Sequence, residues 1–261
     1  MKYFDSHAHY YDERVASECT ESVDKLLDAL FEDSTSYIVN VGTSPETSLM
    51  AVEQARKYPN MYTAIGIHPS DTRFMTDMER ELDEIKTMIL DPTCKCVCLG
   101  EIGLDYHYED TDKEKQMRYF RAQMSLAKSL GIPVCIHDRD SHADVMDVIR
   151  DFPKVKGVLH SFSGSAEMAR ELVGLGYMIS FSGTLTFTNA KKPKQVAVEI
   201  PKEMIMIETD CPYLAPHPLR GSLNHSGNLK YTNSVLASLL GITEQECAEL
   251  TENNARRFFR V

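Results

Sequence analysis

Eight times along this chain a short β-rich segment gives way to a helical one, and no other feature limits the fold as much. The strand-like segments are residues 2–9, 36–42, 61–68, 95–100, 133–137, 157–162, 178–183 and 204–210. Helical periodicity falls between them, over 20–33, 45–57, 78–90, 112–130, 143–152, 166–174 and 192–200. Strands that alternate with helices imply a parallel sheet, because each crossover must return the chain to the same end. Eight such units close into a barrel, a fold that occupies about 250 residues. The 261 residues here predict one TIM-like (β/α)8 barrel across 1–261, a single domain with an extra C-terminal helix. A loop at 211–228 precedes two final helical stretches, 230–240 and 244–259. The second opens on Thr243-Glu-Gln-Glu246, a capping box.

The chemistry sits at the predicted C-terminal strand ends, which in such barrels form the active rim. The first strand carries Asp5-Ser6-His7-Ala8-His9, with two histidines on one strand face because alternate residues share a side. Further along come Glu101, His137, His160 and, about two hundred residues after the first motif, Asp210 in Glu208-Thr209-Asp210. Taken singly, His137 or His160 reads as a hydrogen-bonded core residue and Glu101 equally well as a salt-bridge partner. On one rim they read as metal ligands. Six donors exceed the needs of one four-coordinate zinc. They suit two ions about 3.5–4 Å apart, an arrangement that hydrolyses phosphate esters and amides.

Composition narrows the setting. No apolar run approaches the roughly 20 residues needed to span a bilayer, and residues 1–5 lead directly into the histidine motif without an apolar leader. A cytoplasmic protein with no membrane partner is expected. The seven cysteines follow neither a disulfide framework nor a paired zinc spacing. Cys94, Cys96 and Cys98 alternate along one apparent strand, opposite to Glu101, and are expected to be buried thiols beneath the helices. A net charge of −11 argues against a protein that coats nucleic acid, whose affinity comes from neutralising phosphates. It leaves room for an enzyme that meets phosphate through bound cations and a local basic patch.

Over nearly its whole length the sequence resembles the TatD family of metal-dependent hydrolases, within the amidohydrolase-like barrels. The resemblance is carried by residues 5–9, Gly66-Ile-His68-Pro69, Gly100-Glu-Ile-Gly-Leu-Asp105, residues 133–137, His160-Ser-Phe-Ser-Gly164, Glu208-Thr-Asp-Cys-Pro-Tyr-Leu214, Arg220-Gly221 and residues 251–258. It implies two divalent ions (zinc, magnesium or manganese) and hydrolysis of DNA phosphodiesters, commonly from an end. Carried over, His7, His9 and Asp210 would hold one ion and His137 and His160 the other, with Glu101 as the shared ligand. Asp210 is the candidate to orient the attacking water, take its proton and pass it to the leaving oxygen. Asn224-His225-Ser226 departs from the Asn-Glu-Pro that many members show, which weakens inference about substrate preference.

Other residues have looser assignments. Arg220, Lys191 and Lys192 lie in the loops after the seventh and eighth strands, a common phosphate-binding position. His68 divides between substrate contact and loop packing, and the lysines read also as a solvated helix face. Asp5 and Glu208 are equally partners for histidine N–H groups or buried structural carboxylates. Asp105 reads as structural, and Tyr106 and Tyr108 as packing residues. The alternative activity on the same barrel is cleavage of an amide, a lactone or an aminoacyl-tRNA ester, since a fold alone does not choose the bond.

Overall fold

The computed structural model describes residues Met1–Val261. Its strands are β1 (Tyr3–Ala8), β2 (Thr35–Val41), β3 (Met61–Ile65), β4 (Cys96–Asp105), β5 (Val134–Arg139), β6 (Gly157–Leu159), β7 (Met178–Phe181) and β8 (Ile205–Ile207). Its helices are α1 (Glu13–Glu18), α2 (Val23–Asp33), α3 (Pro45–Ala55), α4 (Met78–Leu90), α5 (Lys113–Leu130), α6 (His142–Asp151), α7 (Ala166–Gly174), α8 (Lys191–Glu199), α9 (Leu229–Leu240) and α10 (Glu244–Phe259). One sheet takes the strands in sequence order from β1 to β8. Beyond β8, a parallel bridge pairs Ala8 with Cys211, and His9 N–H donates to Cys211 O at 2.8 Å. A sheet whose last strand runs on to pair with its first is a barrel. No helix is long and apolar enough to cross a membrane.

The strands differ from expectation mainly at their ends. β4 continues through Glu101 to Asp105, so Glu101 lies inside the strand. β6 and β8 span three residues each, leaving His160 and Asp210 just beyond their strands. The predicted helix over 20–33 is α2, which Ser22 starts by accepting the Lys25 N–H, and α1 lies ahead of it where no helix was expected. Cys94 ends a 3-10 turn before β4 instead of lying on the strand.

The chain forms two compact units. The first comprises Met1–Asn40, His160–Gly174 and Met178–Val261. Here Phe4 of β1 stacks on Phe259 of α10 with ring centroids 5.9 Å apart. Asn254 of α10, fully buried, donates to Lys202 O and Ile205 O at 2.8 Å each, tying the helix to the start of β8. The expected capping box starts α10: Thr243 Oγ1 accepts the Glu246 N–H, and Glu246 Oε2 accepts the Thr243 N–H.

The second unit comprises Val41–Leu159 and Leu175–Tyr177. Its core sets Val52, Ile65, Ile67, Ile85, Cys94 and Tyr119 together, with Cys96 against them, so these thiols do lie under the helices. α5 carries two buried glutamines seven residues apart, hence on one face. Gln116 Oε1 accepts the Asp105 N–H at 2.9 Å, while Gln123 pairs both ways with the Ile67 backbone at 2.8 and 3.0 Å. One helix face thereby fixes the ends of β3 and β4. Gly103 (φ 139°) lets β4 approach β5, since a Cβ there would lie 2.0 Å from His137 O.

Glu81 anchors α4. Its Oε1 accepts the Thr76 and Asp77 N–H groups at 2.8 and 3.0 Å, and Oε2 accepts the Tyr119 hydroxyl at 2.6 Å. Burial alone would raise this carboxyl, but the hydrogen bonds outweigh it and hold the group below its ordinary range. A depressed acid contributes stability that is present above its unfolded pKa and is lost as pH falls through the folded one. Glu81→Gln should therefore cost about 1–3 kcal/mol at neutral pH. The gap to wild type should narrow as pH falls through the carboxylate range. Urea unfolding across that range checks this, and a pH-independent gap would refute it.

Candidate metal centre

β1 is buried along its whole length, and its alternation puts Asp5 and His7 on one face, with His9 following in register. In the first unit these meet the chain that leaves β8. His7 Nε2 lies 3.1 Å from His9 Nε2; Asp210 Oδ1 is 3.7 Å from the former and 3.4 Å from the latter. Ligands on one ion with bonds of 2.0–2.2 Å sit roughly 3.3 Å apart in a tetrahedron. The three donors have that spacing, and two imidazole lone pairs facing each other repel unless a proton or cation lies between them. The donor set fits a divalent ion.

His160, expected beside His137 on the other ion, instead joins this group: its ring stacks on His7 at 4.1 Å, and its ligand atom lies within 4.8 Å of those of His7 and Asp210. Its Nδ1 is 3.2 Å from Glu208 Oε1, which also accepts the Ser161 N–H at 2.7 Å. With the ring proton held there, Nε2 is the nitrogen that offers a lone pair. The other Glu208 oxygen, Oε2, is buried without a hydrogen-bond donor, a need that a bound cation or a water meets. Asp5 makes no such bond to an imidazole. Its carboxylate accepts from Thr209 N, Thr209 Oγ1 and Ser226 Oγ at 2.9, 2.6 and 2.7 Å. Of the two carboxylates left open by the sequence, Glu208 orients a histidine and Asp5 is a structural strut.

Asp210 has a φ of 56°, in the left-handed region where Asp is among the few side chains tolerated. The conformation is fixed on both sides, by its N–H to His7 O at 2.9 Å and by Tyr213 N–H to its carbonyl at 2.9 Å. Strained backbone held this firmly gathers at functional sites. Burial alone would raise the Asp210 carboxyl, but the hydrogen bond from His9 and the imidazoles of His160 and His7 hold it below its ordinary value.

The second unit holds its own group. Glu101 Oε1 is 2.7 Å from His137 Nδ1 and 3.5 Å from His68 Nε2. His137 Nε2 lies 3.2 Å from Asp105 Oδ2, so Asp105 can hold one ring proton and leave Nδ1 beside Glu101 as a ligand pair. Asp105, expected to be structural, stands within hydrogen-bond reach of a ligand candidate. The signal was its place four residues after Glu101 on one strand, hence on the same face. Burial would raise its carboxyl, yet the His137 and His107 hydrogen bonds keep it low. His68 differs in kind. Its Nδ1 accepts the Ser70 N–H at 3.1 Å, which places the proton on Nε2. A protonated nitrogen cannot ligate, so His68 is a donor aimed towards Glu101 or a substrate oxygen.

The remaining sequence candidates are exposed. Lys191 and Lys192 open α8, and Arg220 lies over the Phe187 ring at 4.4 Å. Phe187 went unnoticed in the sequence because an aromatic in a loop carries no periodic signal.

The family model for TatD related DNase matches residues 4–260, and the chain belongs to that family. It is 40% identical over 260 residues to the uncharacterized metal-dependent hydrolase YabD of Bacillus subtilis (strain 168), covering 99% of both chains. It is 32% identical over 260 residues to YcfH of Escherichia coli (strain K12), another uncharacterized metal-dependent hydrolase, covering 98% of this chain and 95% of that one. The crystal structure of YJJV, a TatD homolog from Escherichia coli K12, superposes with a TM-score of 0.89 at 26% identity, over 99% of this chain and 98% of that one. The fold is a TIM-like (β/α)8 barrel, and the protein is a metal-dependent hydrolase.

If Asp105 orients His137, Asp105→Asn should weaken divalent-metal affinity by about 10–100-fold while the protein stays folded. Calorimetric titration with zinc or manganese measures this. Unchanged affinity would return Asp105 to a purely structural role.

Proposed function

We propose that this hydrolase is a deoxyribonuclease that cleaves DNA phosphodiester bonds with two divalent ions, zinc, magnesium or manganese. The two ligand groups are the proposed places of the ions: His7, His9, His160 and Asp210 in one unit, Glu101 and His137 in the other. When bound, such ions lower the pKa of a water and offset charge building on phosphate oxygens.

The chain's own residues supply the rest. Asp210 is placed to orient the attacking water and take its proton, because its backbone is fixed on both sides and its carboxylate oxygen points into the ligand group. The same carboxyl then returns the proton to the leaving oxygen. His68, with its proton on Nε2, is a donor for a phosphate oxygen.

The observation that carries the choice of DNA is the set of unpaired cations after β7 and β8. Lys191, Lys192 and Arg220 have no carboxylate partner in a chain of net charge −11. Cations left without counterions suit a polyanion. Amide and lactone substrates give no reason for them, and an aminoacyl-tRNA ester, itself on a polyanion, is separated from DNA by the cleavage test below.

The test is time-resolved cleavage of an end-labelled single-stranded oligonucleotide, with divalent metal or with chelator. Stepwise, metal-dependent shortening is expected. Asp210→Asn should fold and lose at least about a hundredfold in rate, the scale of a general base. Wild-type turnover in that variant would remove Asp210 as proton acceptor, and an intact oligonucleotide with metal bound would overturn the DNA reading.

A further inference from the structure

Several arginines of this protein pair with acids. Arg14 pairs with Glu18, Arg121 with Asp151, and Arg150 with Asp147. Arg220 does not: its guanidinium carbon lies over Phe187, 4.4 Å from the ring centroid, and no carboxylate or carbonyl accepts from it. A contact with a ring uses none of the guanidinium N–H groups as hydrogen-bond donors, so they stay available to an anion.

Both partners stand on firm ground. Phe187 donates its N–H to Thr184 O at 3.1 Å, and its carbonyl accepts from Lys194 Nζ at 2.8 Å. The Phe187 loop is tied to the segment that leads to Arg220, because His217 N–H donates to Thr186 Oγ1 at 2.7 Å. Gly183 permits that contact, since a Cβ there would lie 2.2 Å from Leu214 O. Past Arg220 the chain turns at Gly221, whose φ of 90° suits glycine.

We propose that Phe187 is a positioning residue, which holds the Arg220 fork ready to take a phosphate of the bound strand. The proposal rests on the deoxyribonuclease reading. A free arginine loses rotamer freedom when it grips an anion. The contact with Phe187 takes that loss before the strand arrives, so the grip is tighter with the ring than without it. Phe187 itself acts only through Arg220.

Steady-state cleavage of a labelled single-stranded oligonucleotide by the full-length, metal-loaded protein tests this at several salt concentrations. Phe187→Leu should raise KM about two- to fivefold with kcat nearly unchanged. Arg220→Ala should raise KM at least about tenfold and reduce the salt slope by about one. The double variant should be no worse than Arg220→Ala, and Phe187→Tyr, which keeps the ring, should behave as wild type. Thermal melts confirm that each variant is folded. A Phe187→Leu effect that multiplies with Arg220→Ala, falls on kcat alone, or is absent would overturn the proposal while the nuclease reading stands. A wild-type protein that cleaves no oligonucleotide would remove the nuclease reading, and this inference with it.

Discussion

A fully buried carboxylate, that of Asp5, joins the beginning of the chain to its far end. It accepts two hydrogen bonds from Thr209 and one from Ser226, residues more than two hundred positions away. Ser226 in turn meets the Tyr10 hydroxyl at 2.7 Å, and the Tyr10 N–H donates to Asn40 at 2.9 Å. Burial pushes Asp5 up to about 6 despite these bonds, so they offset only part of the desolvation. An apolar pair would hold β1 to the β8 segment without that cost. A charged network does what packing does not: it sets direction, fixing His7 two residues from Asp5 and Asp210 one residue from Thr209. The donor spacing at the centre depends on that register.

The same economy of means governs the histidines. An imidazole ligates through a lone pair, so something must hold its proton elsewhere. Glu208 does this for His160 and Asp105 can do it for His137, one carboxylate in each unit. His68 receives the opposite treatment, since a backbone N–H occupies its Nδ1 and the proton stays on Nε2. Three histidines in similar settings thus divide into ligands and a donor by what touches the remote nitrogen. Proximity to a carboxylate alone would have grouped them together.

The order of elements was legible in the sequence because covered parallel strands are apolar runs and their helices have a clear period. α4, α7 and α10 begin and end where the pattern placed them. What the pattern hid was how far each strand's pairing extends. β4 keeps its ladder with β5 as far as Asp105, while β6 and β8 stop after three residues. Pairing depends on the neighbour's path, which no local window contains. At the site, residue types and spacing named the histidines and acids. Tautomers, the strut at Asp5 and the pairing of Phe187 with Arg220 depend on contacts between remote segments and left no local trace.

Net charge was the sequence feature set most directly against a polyanionic substrate, and the structure shows why it weighs less than its size suggests. Ion pairs such as Arg121–Asp151 and Arg170–Glu199 add nothing to that net, and part of the excess lies on exposed helix caps such as Asp77 and Asp112. Charges of that kind are screened within about 8 Å at physiological ionic strength. A phosphate at the loops after β7 and β8 responds to what lies within that distance. There the protein offers Arg220 over Phe187 and lysines at the start of α8. The first residues of a helix already carry unsatisfied N–H groups and the positive end of its dipole, so Lys191 and Lys192 add to a field of the same sign. That placement costs helix stability, because cations are unfavourable at a helix start. The cost falls at α8, whose first turn holds no acid, whereas α4 and α10 open with acids, and the proposed phosphate contact would offset it.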